Sequence, residues 1–262
     1  MNEPQIFAPG LLAGRTALVT GGATGIGLAI ARELGGLGAR IVIAARDAER
    51  LEAAAAALRE RGIEVHAHPV NIRREDEVET LFHAVDQHVG LPDILVNNAG
   101  GQFAAPALDI TPNGFRAVVD LNLNGTWLMS KAFAARAVAA GQGGRIVNIV
   151  LSLFSGTPGI VHSGAARAGV INMTKTLAVE WGRHGITVNA VAPGTIDTEG
   201  LLQYDMAAIE REMQRLPIKR MGTAREVALA VAFLVSPAGD YMTGTTLVLD
   251  GGDHLMGAAA EA

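Results

Sequence analysis

Thr20-Gly21-Gly22-Ala23-Thr24-Gly25-Ile26-Gly27 is the stretch whose reading decides the fold. It follows a short β-branched run, Thr16–Thr20, and opens a helical pattern. Glycines in such a place permit a tight turn and let backbone N–H groups approach a pyrophosphate. The dipole of the following helix adds attraction. A lone glycine pattern is weak evidence, but strand, turn and helix in this order give it context. Gly21, Ala23, Thr24, Gly25, Ile26 and Gly27 are therefore the predicted nucleotide-binding residues, and a plain structural turn is the alternative.

Outward from this loop, short β-branched runs alternate with longer helical patterns. The further predicted strands are Arg40–Ala44, Glu64–Pro69, Ile94–Asn97, Arg145–Val150, Thr187–Val191 and Thr246–Asp250. Between them Val78, Leu81, Phe82, Val85 and Val89 recur at helical spacing. Thr111-Pro112 reads as an N-cap with Pro at the first helical position, and Thr223-x-x-Glu226 as a capping box. The expectation is an α/β, Rossmann-like fold: a doubly wound, parallel, seven-stranded sheet with helices on both faces. Residues 1–262 are expected to form a single nucleotide-binding domain, with ligands held beyond the carboxyl ends of the strands.

Composition narrows the function classes. The chain has 262 residues, 49% hydrophobic, enough for one sizeable core. A net charge of −5 with interspersed signs argues against a nucleic-acid surface. Zero cysteines exclude disulfides and thiolate metal sites, and no His spacing suits a metal. Met-Asn-Glu-Pro-Gln lacks the marks of a signal peptide, no apolar stretch is long enough to span a membrane, and Ala-Ala-Glu-Ala is not a peroxisomal address. A cytoplasmic protein is expected.

The end of the second strand selects between dinucleotides. An acidic residue there would hold the ribose 2′-hydroxyl of NAD. This chain has Ala44-Ala45-Arg46, and Arg46 suits a 2′-phosphate, so NADP(H) is favoured with NAD(H) as the alternative. The neighbouring Asp47 weighs against that choice, and a solvated loop charge is the bland reading of Arg46.

Asn97-Asn98-Ala99-Gly100, the Asp120–Gly125 stretch around Asn122, a helix carrying Ser163 and Arg167, and Pro193-Gly194-Thr195-Ile196 complete a pattern with the glycine loop. Together they resemble the short-chain dehydrogenase/reductase family. The resemblance implies hydride transfer to or from a nicotinamide. It places Asn71 and Ile72 at the adenine, and Asn98, Ala99 and Gly100 beside the nicotinamide ribose. Pro193, Gly194, Thr195 and Ile196 form the nicotinamide-side loop, followed by a substrate lid near residues 197–216. The family's Tyr, Lys, Ser and Asn would stand here as Ser163, Arg167, Leu151 and Asn122. Only the Asn is retained, with a bond across a helix distortion as its structural alternative.

Ser163 is far less acidic than a phenol, and Arg167 stays protonated at working pH. Arg167 can still hold a ribose or stabilise an oxyanion. Ser152 lies next to the usual Ser position and would replace it after a small shift. His162 titrates near neutrality, though a lone His here suits a structural role. Tyr204, in the lid segment, is the one plausible phenolic acid, with an ordinary packed aromatic as the alternative.

Phe7–Leu12, Gly100-Gly101-Gln102-Phe103 and Val161–Val170 resemble trans-2-enoyl-CoA reductases and bacterial citronellol/citronellal dehydrogenases more narrowly. The 2,4-dienoyl-CoA reductases resemble the chain at a greater distance. Some enoyl-CoA reductases carry Tyr where this chain has Ile171. The resemblance implies an NADPH-dependent reductase of a conjugated C=C bond, in an acyl-CoA or another conjugated carbonyl compound. An NAD(P)-dependent dehydrogenase of allylic or terpenoid alcohols and a non-catalytic dinucleotide-binding protein are the alternatives. Asp250-Gly251-Gly252 implies a homotetramer. Arg211, Arg215, Lys219 and Arg220 suit CoA phosphates or, equally, a solvated helix face.

Overall fold

The computed structural model describes residues 6–153 and 156–258, so the first five and last four residues, read above for targeting signals, lie outside it. In chain order the elements are β1 (Thr16–Thr20), α1 (Gly25–Gly36), β2 (Arg40–Ala45), α2 (Ala48–Arg59), β3 (Val65–Pro69), α3 (Glu75–Val89) and β4 (Ile94–Asn97). They continue as α4 (Pro112–Val119), α5 (Gly125–Ala140), β5 (Gly144–Ile149), α6 (Val161–Trp181), β6 (Ile186–Pro193) and β7 (Ile196–Asp197). The last are α7 (Met206–Met213), β8 (Gly222–Thr223), α8 (Ala224–Val235) and β9 (Thr246–Leu249).

Seven strands form one sheet in the order β3-β2-β1-β4-β5-β6-β9, and every pairing in it is parallel. Alternation along the strands loads both faces. Ala17, Val19, Ile41, Ile43, Ile94 and Val96 pack with α1, α2 and α8. Leu18, Val42, Leu95 and Ile146 pack with α3, α5 and α6 on the other face. Strands buried on both sides must be apolar throughout, which is why these runs are continuous rather than alternating in polarity. All seven predicted strands are present, with ends moved by no more than two residues.

The strand order reverses between β1 and β4, and a crevice opens there beyond the carboxyl ends of the strands. Thr20 closes its floor. Its Oγ1 accepts from the backbone N–H groups of Asn98 and Ala99, both at 3.0 Å.

Local signals hold as expected at two helix starts. The Thr111 hydroxyl accepts from Gly114 N, and Thr223 and Glu226 form both bonds of a capping box. The helix expected after Pro112 is interrupted by one π-helical turn, Asp120–Asn124, before α5 begins. The short strands β7 and β8 pair in parallel and tie the base of the segment between them. Among the described residues, no helix is long and apolar enough to cross a membrane, and no cluster of His, Asp and Glu is arranged for a metal.

Candidate active site

A cleft of about 680 Å³ lies over the sheet's switch point, in the size range of ligand pockets. Gly21, Ala23, Thr24, Gly25 and Ile26 line it from the turn before α1. Ala44 to Asp47 and Arg50 line it after β2, and Val70 and Ile72 after β3. Asn98, Ala99 and Gly100 follow β4, Leu121 comes from the π turn, and Thr198, Glu199 and Gly200 from beyond β7. Gly27 does not line the cleft. A Cβ there would sit 2.2 Å from Gly21 O and 2.5 Å from Asn98 Nδ2, so its bare backbone lets α1 press against the loop.

Electrostatics on the β2 side favour a free cation. Asp47 caps α2 by accepting from Arg50 N at 3.1 Å and pairs with the Arg50 side chain at 3.5 Å. Its charge is thus turned to the helix. Arg46 is exposed, and among the described residues it forms no ion pair. Arg50 is a second cation on the same wall, one that sequence reasoning did not single out.

Behind the cleft lies a buried polar cluster. Asn122 sits in the π turn and clamps Gly101 from both sides. Its Oδ1 accepts from Gly101 N at 2.9 Å and its Nδ2 donates to Gly101 O at 3.0 Å. The same Nδ2 donates to Ser163 Oγ at 3.3 Å, and Ser163 Oγ donates to Gln102 Oε1 at 2.8 Å. Arg167, one helical turn after Ser163, donates from Nη1 to Ile149 O at 2.7 Å, while its buried Nε has no partner. Burial lowers the Arg167 pKa to about 10, so it remains a cation at neutral pH. Among the described residues no carboxylate pairs with it. Its guanidinium lies directly under Gly100, where a Cβ would come within 1.9 Å of Nη2.

The model of a protein family described as "Enoyl-(Acyl carrier protein) reductase" matches residues 21–254. A "Probable 2,4-dienoyl-CoA reductase" of Bacillus subtilis is 36% identical over 246 residues, covering 92% of this chain and 97% of its own. The chain belongs to the short-chain dehydrogenase/reductase family. A "Peroxisomal 2,4-dienoyl-CoA reductase" of Arabidopsis thaliana is 37% identical, covering 96% of this chain and 88% of its own. The solved structure of a "citronellol catabolism dehydrogenase" from Pseudomonas aeruginosa superposes with a TM-score of 0.86 at 42% identity, covering 95% of this chain and 98% of that one. As a short-chain dehydrogenase/reductase, the chain is an NAD(P)-dependent oxidoreductase. The glycine turn and the cleft of about 680 Å³ at the strand ends fit such a dinucleotide.

Several expected site residues stand elsewhere in this short-chain dehydrogenase/reductase. Ser152 does not join the cluster: its Oγ donates to Asp250 Oδ2 at 2.8 Å, and Asp250 is further held by His254. The Asn71 side chain folds back to accept from Arg73 N and Nε, leaving Val70 and Ile72 to wall the cleft. Pro193, Gly194, Thr195 and Ile196 are not in the lining either, since Gly194 packs on Asp250 and Ile196 is buried in β7. The chain re-enters the cleft only at Thr198. No hydrogen bond joins Tyr204 to the cluster, and its hydroxyl is buried without a partner. His162 is wholly buried, edge-on to Phe103 at 4.5 Å, with Nδ1 accepting from Ser163 N. Arg220 is committed to Glu226 through two bonds of 3.0 and 2.7 Å, which removes it from the cations suited to CoA phosphates.

Proposed function

We infer that this oxidoreductase reduces a conjugated C=C bond, in a trans-2-enoyl-CoA or a similar substrate, with NADPH. Residues 1–262 act as one nucleotide-binding domain, and residues 197–216 form the lid over the substrate. One observation carries the reading. The cluster formed by Arg167, Ser163, Asn122 and Gln102 offers a fixed cation and fixed donors but contains no phenol and no ammonium group. Reduction of a carbonyl requires a proton delivered to oxygen. Reduction of a conjugated C=C bond requires hydride at the β-carbon, stabilisation of the enolate oxygen that then forms, and a proton at the α-carbon. Preorganised donors serve the second of these steps well.

NADPH, when bound, supplies the hydride. Gly21 to Ile26 would hold the pyrophosphate, and Asn98 to Gly100 with Arg167 the nicotinamide ribose. Arg46, with Arg50 beside it, would hold the 2′-phosphate. Arg167, desolvated and without a carboxylate, favours negative charge developing above Gly100. Asn122 holds Gly101 in register. Tyr204 is the assigned acid for the α-carbon, which requires the lid to bring its hydroxyl over the cluster. The dienoyl-CoA reductases among the relatives support a C=C bond in an acyl thioester. The protein is assigned to the cytoplasm and to a homotetramer.

A second reading, oxidation of an allylic or terpenoid alcohol, is supported by the likeness to the citronellol catabolism dehydrogenase of Pseudomonas aeruginosa. The change of absorbance at the nicotinamide band tests both, a loss for reduction with NADPH and a gain for oxidation with NADP. With NADPH, turnover is expected for enoyl-CoA and enals and not for simple ketones. Turnover of NADP with an allylic alcohol alone would favour the second reading. Tyr204→Phe should slow reduction without loss of stability, because the hydroxyl it removes is buried and unpaired. Unchanged turnover would remove Tyr204 from the mechanism.

A further inference from the structure

We propose that the side-chain amide of Gln102 is the group that hydrogen-bonds the substrate's carbonyl oxygen, and that Ser163, at the position of the family's tyrosine, serves only to aim it. The proposal rests on the reading of an acyl substrate given above and names the donor within that site. It follows from the direction in which hydrogen bonds run through the cluster.

The direction is set by the backbone. The N–H of Gly101 can only donate, so the Asn122 atom facing it is Oδ1, and the carbonyl of Gly101 can only accept, so the atom facing that is Nδ2. The Asn122 amide is therefore locked in one orientation. Its Nδ2 faces Ser163 Oγ at 3.3 Å, so the serine oxygen accepts there. The serine proton must then go elsewhere, and Gln102 Oε1 at 2.8 Å receives it. With Oε1 engaged, the Gln102 NH₂ keeps two donors, and neither bonds to a described residue. Ser163 has one proton, and that proton is already used.

Exposure gives the same assignment. Ser163 and Asn122 are 0% exposed and Arg167 is 7% exposed, whereas Gln102 is only half-buried. The Arg167 guanidinium is roofed by Gly100 and tied to Ile149 O. It acts through its charge from beneath. Of the four polar side chains, Gln102 alone combines free N–H donors with surface that a ligand can reach. Phe103, 40% exposed, stands next to it as an apolar neighbour for the carbon chain attached to that carbonyl. The chain Gly101–Asn122–Ser163–Gln102 thus converts a backbone orientation into a fixed donor, which is what stabilisation of a developing enolate requires.

The test is Gln102→Glu, with Gln102→Met as a second variant of similar size. At pH 8 the introduced carboxylate still accepts from Ser163, so the local geometry is kept, but it has no N–H to offer. kcat/KM for reduction should fall about a hundredfold or more in both variants, the typical cost of one lost oxyanion donor, with NADPH affinity unchanged. Towards pH 5 the carboxyl group, with an ordinary pKa of about 4.3, begins to carry a proton and can donate again. The deficit of Gln102→Glu relative to wild type should then shrink, while that of Gln102→Met stays constant. Near-wild-type kcat/KM for Gln102→Glu at pH 8, or a deficit that does not move with pH, would overturn the proposal.

The variant-to-wild-type ratio is taken on whichever of enoyl-CoA, enal or ketone the wild type reduces fastest. A wrong substrate class and a wrong donor are thereby told apart. A readout independent of turnover is the carbonyl stretch of 2-enoyl-CoA labelled with ¹³C at the thioester carbon, bound with NADP. It should lie at lower frequency on the wild type than on Gln102→Glu, and identical bands would reject Gln102 as the donor.

Discussion

Replacing Gly100 by alanine perturbs the site without removing any functional group from it. The added Cβ would stand 1.9 Å from Arg167 Nη2, 3.0 Å from its Cζ and 3.0 Å from Asn122 Oδ1. No pair of heavy atoms tolerates the first of these separations, so the guanidinium must retreat by more than about an ångström before ordinary contact is restored. The end of an arginine is flexible, but this one is buried and its Nη1 is held by Ile149 O at 2.7 Å. Overpacking of this kind costs about 1–3 kcal/mol, which for a chain of this size lowers Tm by about 2–4 °C per kcal/mol. Misplacing a catalytic charge by about an ångström costs on the order of a hundredfold in rate. We therefore expect Gly100→Ala to fold, to melt a few degrees lower, and to lose about two orders of magnitude in kcat. The assay is steady-state reduction of a 2-enoyl thioester with NADPH, beside thermal unfolding and direct titration of NADPH binding. Because Gly100 also lines the cofactor cleft, the binding titration matters. A loss of NADPH affinity as large as the loss of kcat/KM would place the damage in the cleft. Wild-type kcat in the folded variant would refute the idea that chemistry depends on where Arg167 is held.

Three further outcomes follow from other parts of the molecule. Arg46→Ala should erase most of a preference for NADPH over NADH. A charge-assisted bond is worth about 1.5–3 kcal/mol, roughly ten- to a hundredfold, and the exposure of Arg46 puts the effect at the lower end; equal affinities in the wild type would reject the assignment. Light scattering at micromolar concentration should give four copies of the 27.2 kDa chain, because Trp127 of α5 and Val179 of α6 stand 39% and 84% exposed along one groove whose rim carries Lys131, Glu180 and Arg183. A monomer would contradict the tetramer. The Glu226 pKa is lowered from 4.5 to about 2, chiefly by its hydrogen bond from Arg220 and then by Thr223 N. A carboxylate whose pKa falls on folding stabilises the fold above its unfolded value and loses that effect as pH drops to the folded value. Glu226→Gln should accordingly flatten the dependence of stability on pH between 4.5 and about 2, as read by urea unfolding, and an unaltered pH dependence would argue against the pairing.

The sheet was legible in the sequence because its causes are local. A strand buried on both faces has to be a short apolar run, and its ends are marked by residues that cannot continue it. The caps at Thr111 and Thr223 were legible for a similar reason, since each bond spans only three residues. At Asp120–Asn124 a helix distortion stood only as the alternative reading of Asn122, because no single residue type there marks a helix that widens by one residue. The strands β7 and β8 were missed because two residues carry no period, and their pairing joins positions far apart in the chain.

The backbone frame of the site could be read, but the directions of its side chains could not. Ser152 and Asn71 both occupy loops at strand ends, where position alone suggests contact with a ligand. Their partners decide otherwise. Asp250 lies 98 residues from Ser152, while Arg73 is only two from Asn71 and competes locally for its amide. Gln102 is the converse case. It was visible only as part of a resemblance, because nothing in Gly-Gly-Gln-Phe says that a glutamine will be aimed. What aims it is Asn122, 21 residues away from the Gly101 backbone it grips, and Ser163, 61 residues away from Gln102. Reading a serine in place of a tyrosine as a lost acid is therefore incomplete. Ser163 is wholly buried, and its hydroxyl is given to Gln102 from another loop. On the proposed reading, a neutral amide held by that serine can stabilise negative charge on a substrate oxygen without being consumed.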